Sequence, residues 1–135
     1  MQPDADTLIA APPEAILALY QRPQDWPLWD PELRAVDLPA GLTPGATGTL
    51  TPRKGPKARV TVARVAQDGF AVTARLPLCT MTFDHSLKPE GAATRARHWV
   101  RFDGPLAPLF LRLIGPGLAA GLPATMAGLK AAAEG

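Results

Sequence analysis

Apolar and polar residues alternate through the middle of the chain with the two-residue period of half-buried strands. Between Phe70 and Leu76, Phe70, Val72, Ala74 and Leu76 share one face, and Ala71, Thr73 and Arg75 share the other. In the next segment Cys79, Met81, Phe83, His85 and Leu87 oppose Thr80, Thr82, Asp84, Ser86 and Lys88. In the last, Ala96, His98, Val100 and Phe102 oppose Arg95, Arg97, Trp99 and Arg101. Turn residues separate the segments at Pro39-Ala40-Gly41, 52–56, Asp68-Gly69, Leu76-Pro77-Leu78 and Pro89-Glu90-Gly91. The pattern from Leu33 to Asp103 therefore predicts an antiparallel sheet with one apolar and one wet face. Asp84 and Asp103 are expected to face water.

Helical periods flank this region. Thr7-Leu8-Ile9 reads as a short strand, and Ala11-Pro12-Pro13-Glu14 opens a helix whose Ile16, Leu19 and Tyr20 point to a core. Trp26 and Trp29, three apart between prolines, suit a single helical turn. After Gly104-Pro105, Leu106, Leu109, Phe110 and Leu113 form one stripe; Leu118, Leu122, Met126 and Leu129 form another. At about 100° per residue the stripes are offset by just under half a turn. The offset spans Gly115-Pro116-Gly117, which predicts a kink or break there.

Length and composition narrow the functions. A chain of 135 residues makes one domain, 1–135. Its 16 prolines and 12 glycines, 28 residues in all, approach the composition of disordered chains, but 47% hydrophobic residues exceed what disorder allows. A single cysteine, Cys79, permits no internal disulfide and no multi-cysteine zinc site. The acidic start Met1-Gln2-Pro3-Asp4-Ala5-Asp6 lacks the basic opening of a signal peptide, and a cytoplasmic setting is expected. Fourteen cations against twelve anions leave little net charge. The one tight basic cluster, Arg53, Lys54 and Lys57, reads as a solvated turn, and no nucleic-acid motif accompanies it. Leu106 to Leu129 has the length of a membrane span and only Arg112 as a charge. Its prolines, glycines and alanines favour a helix packed on a core, so no membrane span is expected.

The two histidines are the sharpest chemical feature. Sheet parity puts both on the apolar face, and pairing Leu87 with Ala96 sets His85 directly opposite His98. Such a pair could transfer protons on a bound carbonyl compound, orient a ligand in an apolar cavity, begin a metal site, or sit as satisfied core residues. A metal lacks clear ligands beyond Cys79, so neither metal nor cofactor is expected. Ser86 falls on the wrong face for a Ser–His pair. Trp99, placed among arginines on the wet face, can stack on Arg97 or Arg101, or mark a partner surface.

The order strand, two short helices, six strands and a long helix carries several familiar segments. They are Ile9-Ala10-Ala11-Pro12-Pro13-Glu14, Trp26-Pro27-Leu28-Trp29-Asp30-Pro31, Phe83-Asp84-His85-Ser86-Leu87, Val100-Arg101-Phe102-Asp103-Gly104-Pro105-Leu106, and the closing Leu122-Pro123 and Leu129-Lys130. Together they resemble the START-like (SRPBCC) superfamily and, within it, the polyketide cyclase/dehydrase family, from about Thr7 to Glu134. The resemblance implies an α+β helix-grip fold: a curved sheet of about seven strands around a long C-terminal helix, enclosing a cavity for an apolar ligand. Members cyclise or dehydrate polyketides, carry lipids, sterols or quinones, or bind partner proteins.

The expected function is binding of a small hydrophobic, polyketide-, lipid- or quinone-like molecule, with His85 and His98 as the groups for any cyclase or dehydratase chemistry. The cavity is expected to be lined by Val60, Val62, Val72, Met81, Phe83, Val100 and Phe102. Leu109, Leu113 and Leu118 supply one wall, and Trp26 and Trp29 form a gate. The alternative is a non-catalytic carrier, or a module binding a partner around Trp99; a homodimer is left open.

Overall fold

The computed structural model describes residues 2–135. Seven strands form one antiparallel sheet in the order β1-β7-β6-β5-β4-β3-β2. They are β1 (Asp4–Ile9), β2 (Leu33–Asp37), β3 (Thr47–Pro52), β4 (Ala58–Ala66), β5 (Gly69–Leu76), β6 (Cys79–Glu90) and β7 (Ala93–Asp103). Helix α1 (Pro13–Tyr20), a 3-10 turn (Pro23–Asp25) and the single-turn α2 (Trp26–Trp29) link β1 to β2. Helix α3 (Ala107–Glu134) closes the chain. This is the expected α+β helix-grip arrangement.

The parity read from the sequence holds in the register. Val60, Val62, Phe70, Val72, Ala74, Met81, Leu87, Ala96 and Val100 are all buried. A bulge at Ala63, between the Val62–Val72 and Arg64–Ala71 pairs, restores the inward phase for Val65 opposite Phe70. Gly69, at φ +150, lies where any side chain would meet the carbonyl of His85, so the β4–β5 turn closes tightly over β6.

Helix α3 overturns the break, one of the two alternatives expected at its Gly-Pro-Gly. It runs without a break through Gly115-Pro116-Gly117. The side facing the protein is a single stripe: Phe110, Ile114 and Leu118 are half-buried, and Thr125, Met126 and Leu129 are buried. At about 100° per residue these positions stay in phase, so no change of face is needed. Leu109 and Leu113, expected on the cavity wall, belong to the solvent side and are 47% and 67% exposed. Pro116 and Pro123 also face water, and each withholds one intrahelical donor, from Arg112 and Ala119 respectively. Both of those residues are exposed, so water can take the place of the missing amides.

The two halves of α3 pack differently. The C-terminal half is fastened: Lys130 Nζ donates to the Leu8 carbonyl at 2.8 Å, and Ala10 N donates to Glu134 at 2.7 Å. Thr125 Oγ1 donates to buried Asp30 Oδ1 at 2.7 Å, which also accepts from Glu32 N. Burial pushes the Asp30 carboxyl up, against those two bonds. Gly128 rests against the Trp29 carbonyl, where a side chain has no room. The N-terminal half lies over strands and makes no such bonds among the described residues.

Candidate functional site

One row of side chains crosses the concave face. Register places Phe70 opposite His85, His85 opposite His98, and His98 opposite Ala5. The histidine pairing is the one the sequence predicts. The His85 ring stacks on Phe70 at 3.8 Å between centroids with 9° between planes, and meets His98 edge-on at 4.3 Å. Helix α1 lowers Tyr20 onto this row, with its hydroxyl 2.7 Å from His98 Nε2. Trp26 stacks on the other side of Phe70 at 5.5 Å and donates its indole N–H to the Tyr20 carbonyl.

The protonation states follow from these partners. His85 Nδ1 lies 3.1 Å from the Phe70 carbonyl, which can only accept, so Nδ1 carries the proton and Nε2 keeps its lone pair. Desolvation lowers the His85 pKa to about 4, outweighing the Phe70 bond and nearby Asp84. Burial, then the charge of His85, lowers His98 well below the usual imidazole range. Burial raises the Tyr20 phenol far above its ordinary value. The triad is neutral at physiological pH and linked to the backbone at one end.

Of the residues singled out from sequence, Val60, Val62, Val72, Met81 and Val100 are buried on the concave face. Phe83 and Phe102 share that face and are half-buried. Trp26 is 5% exposed and part of the core cluster. Trp29 is half-buried, and its indole N–H is enclosed without a partner. Leu118 lines the inner side of α3, whereas Leu109 and Leu113 face away. Sequence reasoning missed Tyr20 as the third member of the histidine cluster. It placed Phe110 in an apolar stripe but missed Ile114 on the inward side of α3. The i, i+4 spacing of Phe110 and Ile114 with Leu118 was the signal available.

Phe70 and Tyr20 pack against the histidines, of which His98 is buried and His85 half-buried. The two most developed hollows lie elsewhere. One of about 270 Å³ is lined by Leu19, Arg22, Asp25, Leu28, Trp29 and Ala132. The other, an open groove of about 520 Å³, runs along α3 past Arg112, Gly115 and Ala119. Neither touches a histidine. Phe83 and Phe102 on the sheet and Phe110, Ile114 and Leu118 on α3 keep part of their apolar surface open. Of these five only Phe83 packs against the main core cluster.

On the convex face Asp84 is 7% exposed, not open to water as expected. Arg64 and Arg101 cover it at 3.4 Å each. Trp99 carries the Arg97 guanidinium over its ring at 4.2 Å, one of the two stacking options.

A curved sheet gripping a long C-terminal helix over an apolar concave face defines the class: a helix-grip protein. The chain belongs to the polyketide cyclase/dehydrase and lipid transport family, whose model matches residues 4–134. No curated protein matches the sequence. Among solved structures, MLL2253 from Mesorhizobium loti superposes with a TM-score of 0.79 at 18% identity, covering 98% of this chain and 96% of that one. TTHA0849 from Thermus thermophilus gives 0.76 at 15% identity, covering 98% and 97%. DynU16, from the dynemicin biosynthetic locus, gives 0.72 at 16% identity, with 96% of this chain and 46% of that one covered.

Proposed function

We propose that the protein binds a small hydrophobic molecule in the cleft between the sheet and the N-terminal half of α3, and holds it without transforming it. The floor would be Met81, Phe83, Val100 and Phe102, and the roof Phe110, Ile114 and Leu118. The observation carrying this reading is the uneven packing of α3. Its C-terminal half is bonded down, with Thr125, Met126 and Leu129 buried, while Phe110, Ile114 and Leu118 stay half-exposed, as do Phe83 and Phe102 on the sheet. Apolar side chains left part-open on facing elements gain free energy when a guest removes them from water, about 25 cal/mol per Å². Membership of a family described by cyclases, dehydrases and lipid transport agrees with an apolar guest. Carriage is favoured over cyclase or dehydratase chemistry because Tyr20 already engages His98 Nε2, the Phe70 carbonyl engages His85 Nδ1, and neither hollow reaches an imidazole.

Titration with a fluorophore that brightens in apolar surroundings tests this. The wild type should bind it saturably, and Ile114→Arg or Phe102→Asp should weaken binding at least tenfold while the melting temperature moves little. Alanine at His85 or His98 should leave binding within a few-fold. No saturable binding, or binding indifferent to Ile114→Arg, would overturn the proposal.

A further inference from the structure

The antiparallel order brings three connections to one end of the sheet. Strand β3 ends there and β4 begins, β5 ends and β6 begins, and β7 ends and α3 begins. The β3–β4 turn carries Arg53, Lys54 and Lys57, with Arg59 close behind; Arg75 precedes the β5–β6 turn, and Arg112 lies on the second turn of α3. All six are exposed, and none makes an ion pair among the described residues. The acids of this end are buried Asp30, engaged by Thr125 and the Glu32 amide, exposed Glu32, Asp37 in the row of Arg59, and Asp103, which leans toward Arg101. Asp68, Glu90 and Glu134 sit at the opposite end, on the β4–β5 turn, the β6–β7 turn and the tail of α3. The β3–β4 and β5–β6 turns are two strand spacings apart, about 10 Å, within one Debye length in moderate salt.

Large aliphatic side chains stand among these cations. Leu78, at the tip of the β5–β6 turn, is 65% exposed and has a φ of +53. It is the one residue other than glycine with positive φ among those described. Glycine or asparagine normally takes that position in a turn, and leucine there strains the backbone. The Leu106 N–H donates to the Leu78 carbonyl at 3.0 Å, fixing the tip against the start of α3. Next to it Leu109 and Leu113 are exposed on the solvent side of the helix, and only 17% of the most apolar 18-residue window of α3 is buried. A strained, exposed leucine does nothing for folding; it is useful where a leucine side chain must project.

We infer that this end of the molecule docks on an anionic lipid surface, with Leu78 and Leu109 entering the headgroup boundary and Arg53, Lys54, Lys57, Arg75 and Arg112 meeting lipid phosphates and carboxylates. Aliphatic tips surrounded by unpaired cations match an interface that is apolar below and negative above. The N-terminal half of α3 roofs the proposed cleft at this same end. The inference therefore deepens the binding reading, and rests on it, by making the membrane the source or destination of the guest.

Flotation of the full chain with vesicles tests the docking. Binding is expected to vesicles of phosphatidylcholine containing about one third phosphatidylserine, and not to phosphatidylcholine alone. It should fall more than tenfold as salt rises to about 0.5 M. Lys54→Glu with Lys57→Glu should weaken it at least tenfold, since each cation near such a surface contributes about fivefold. Lys88→Glu, near the other end, should change it little. Leu78→Gly should weaken binding several-fold while the melting temperature holds or rises, a combination that a purely structural leucine cannot give.

Equal binding to neutral vesicles, no binding to either, or indifference to both variants overturns the inference. So does duplex DNA bound as tightly as anionic vesicles and unaffected by Leu78→Gly, which would make the patch a nucleic-acid contact. The fluorophore titration without vesicles reads the cleft separately. Dye binding without vesicle binding sinks the docking alone, and vesicle binding without dye binding sinks the carrier reading alone.

Discussion

The hydroxyl of Tyr20 and Nε2 of His98 lie 2.7 Å apart in the buried interior, joining the first helix to the seventh strand. Both groups are held neutral by burial, and with His85 they form a polar thread through an apolar core. The Tyr20–His98 bond fixes the pose of the helix and the strand it joins.

Removing one end of that bond should be costly. Tyr20→Phe keeps the ring packed on Phe70 but leaves His98 Nε2 without its partner, a loss of about 1–3 kcal/mol. Urea unfolding measures it; an unchanged midpoint would show that the hydroxyl contributes nothing.

Stability should fall with acid between pH 6.5 and 4. In the unfolded chain the histidines take up protons below about 6.5, whereas folded His85 resists until about 4. The unfolded state therefore binds more protons across that window, and unfolding becomes easier as pH falls through it. A shift of that size corresponds to ~3 kcal/mol for His85, with His98 adding in the same direction. His85→Asn, which keeps a donor toward the Phe70 carbonyl, should flatten the slope in pH-dependent unfolding curves.

Nitrogen chemical shifts should report the Nδ1–H tautomer for His85, because the Phe70 carbonyl accepts from that atom. A signal from the Nε2–H form at neutral pH would contradict the bond.

Two glycines of α3 should respond oppositely to alanine. Gly128→Ala drives a methyl into the Trp29 carbonyl and should destabilise by about 2 kcal/mol. Gly117→Ala meets nothing and should stabilise by about 1 kcal/mol through helix propensity. Thermal melts of the pair decide whether the fastening of α3 resides where the close contact lies.

The residues differ in how far ahead of the structure they could be read. His85 and His98 were legible because strand parity has a period of two, and a strand cannot turn one side chain inward without its alternates. Tyr20 was legible as a core residue, but nothing local says which strand a helix residue will meet. Helix α3 misled because Leu109 and Leu113 repeat with the same spacing as Phe110 and Ile114, one step round the cylinder. Hydrophobicity alone cannot choose between the two rows, and packing turned Phe110 and Ile114 inward and left the leucines outside. Asp84 failed for a different reason: the arginines that cover it come from β4 and β7, distant in sequence.

The fastened and open halves of α3 have a consequence for how such proteins diversify. On the proposed reading, the positions that shape the guest, Phe110, Ile114 and Leu118, are not the positions that clamp the fold, Thr125, Gly128 and Lys130. If the protein carries a guest as proposed, substitutions in the first group change what is carried while the second group holds the melting point steady. Selection for a new cargo then meets little resistance from selection for folding, although both act on one helix.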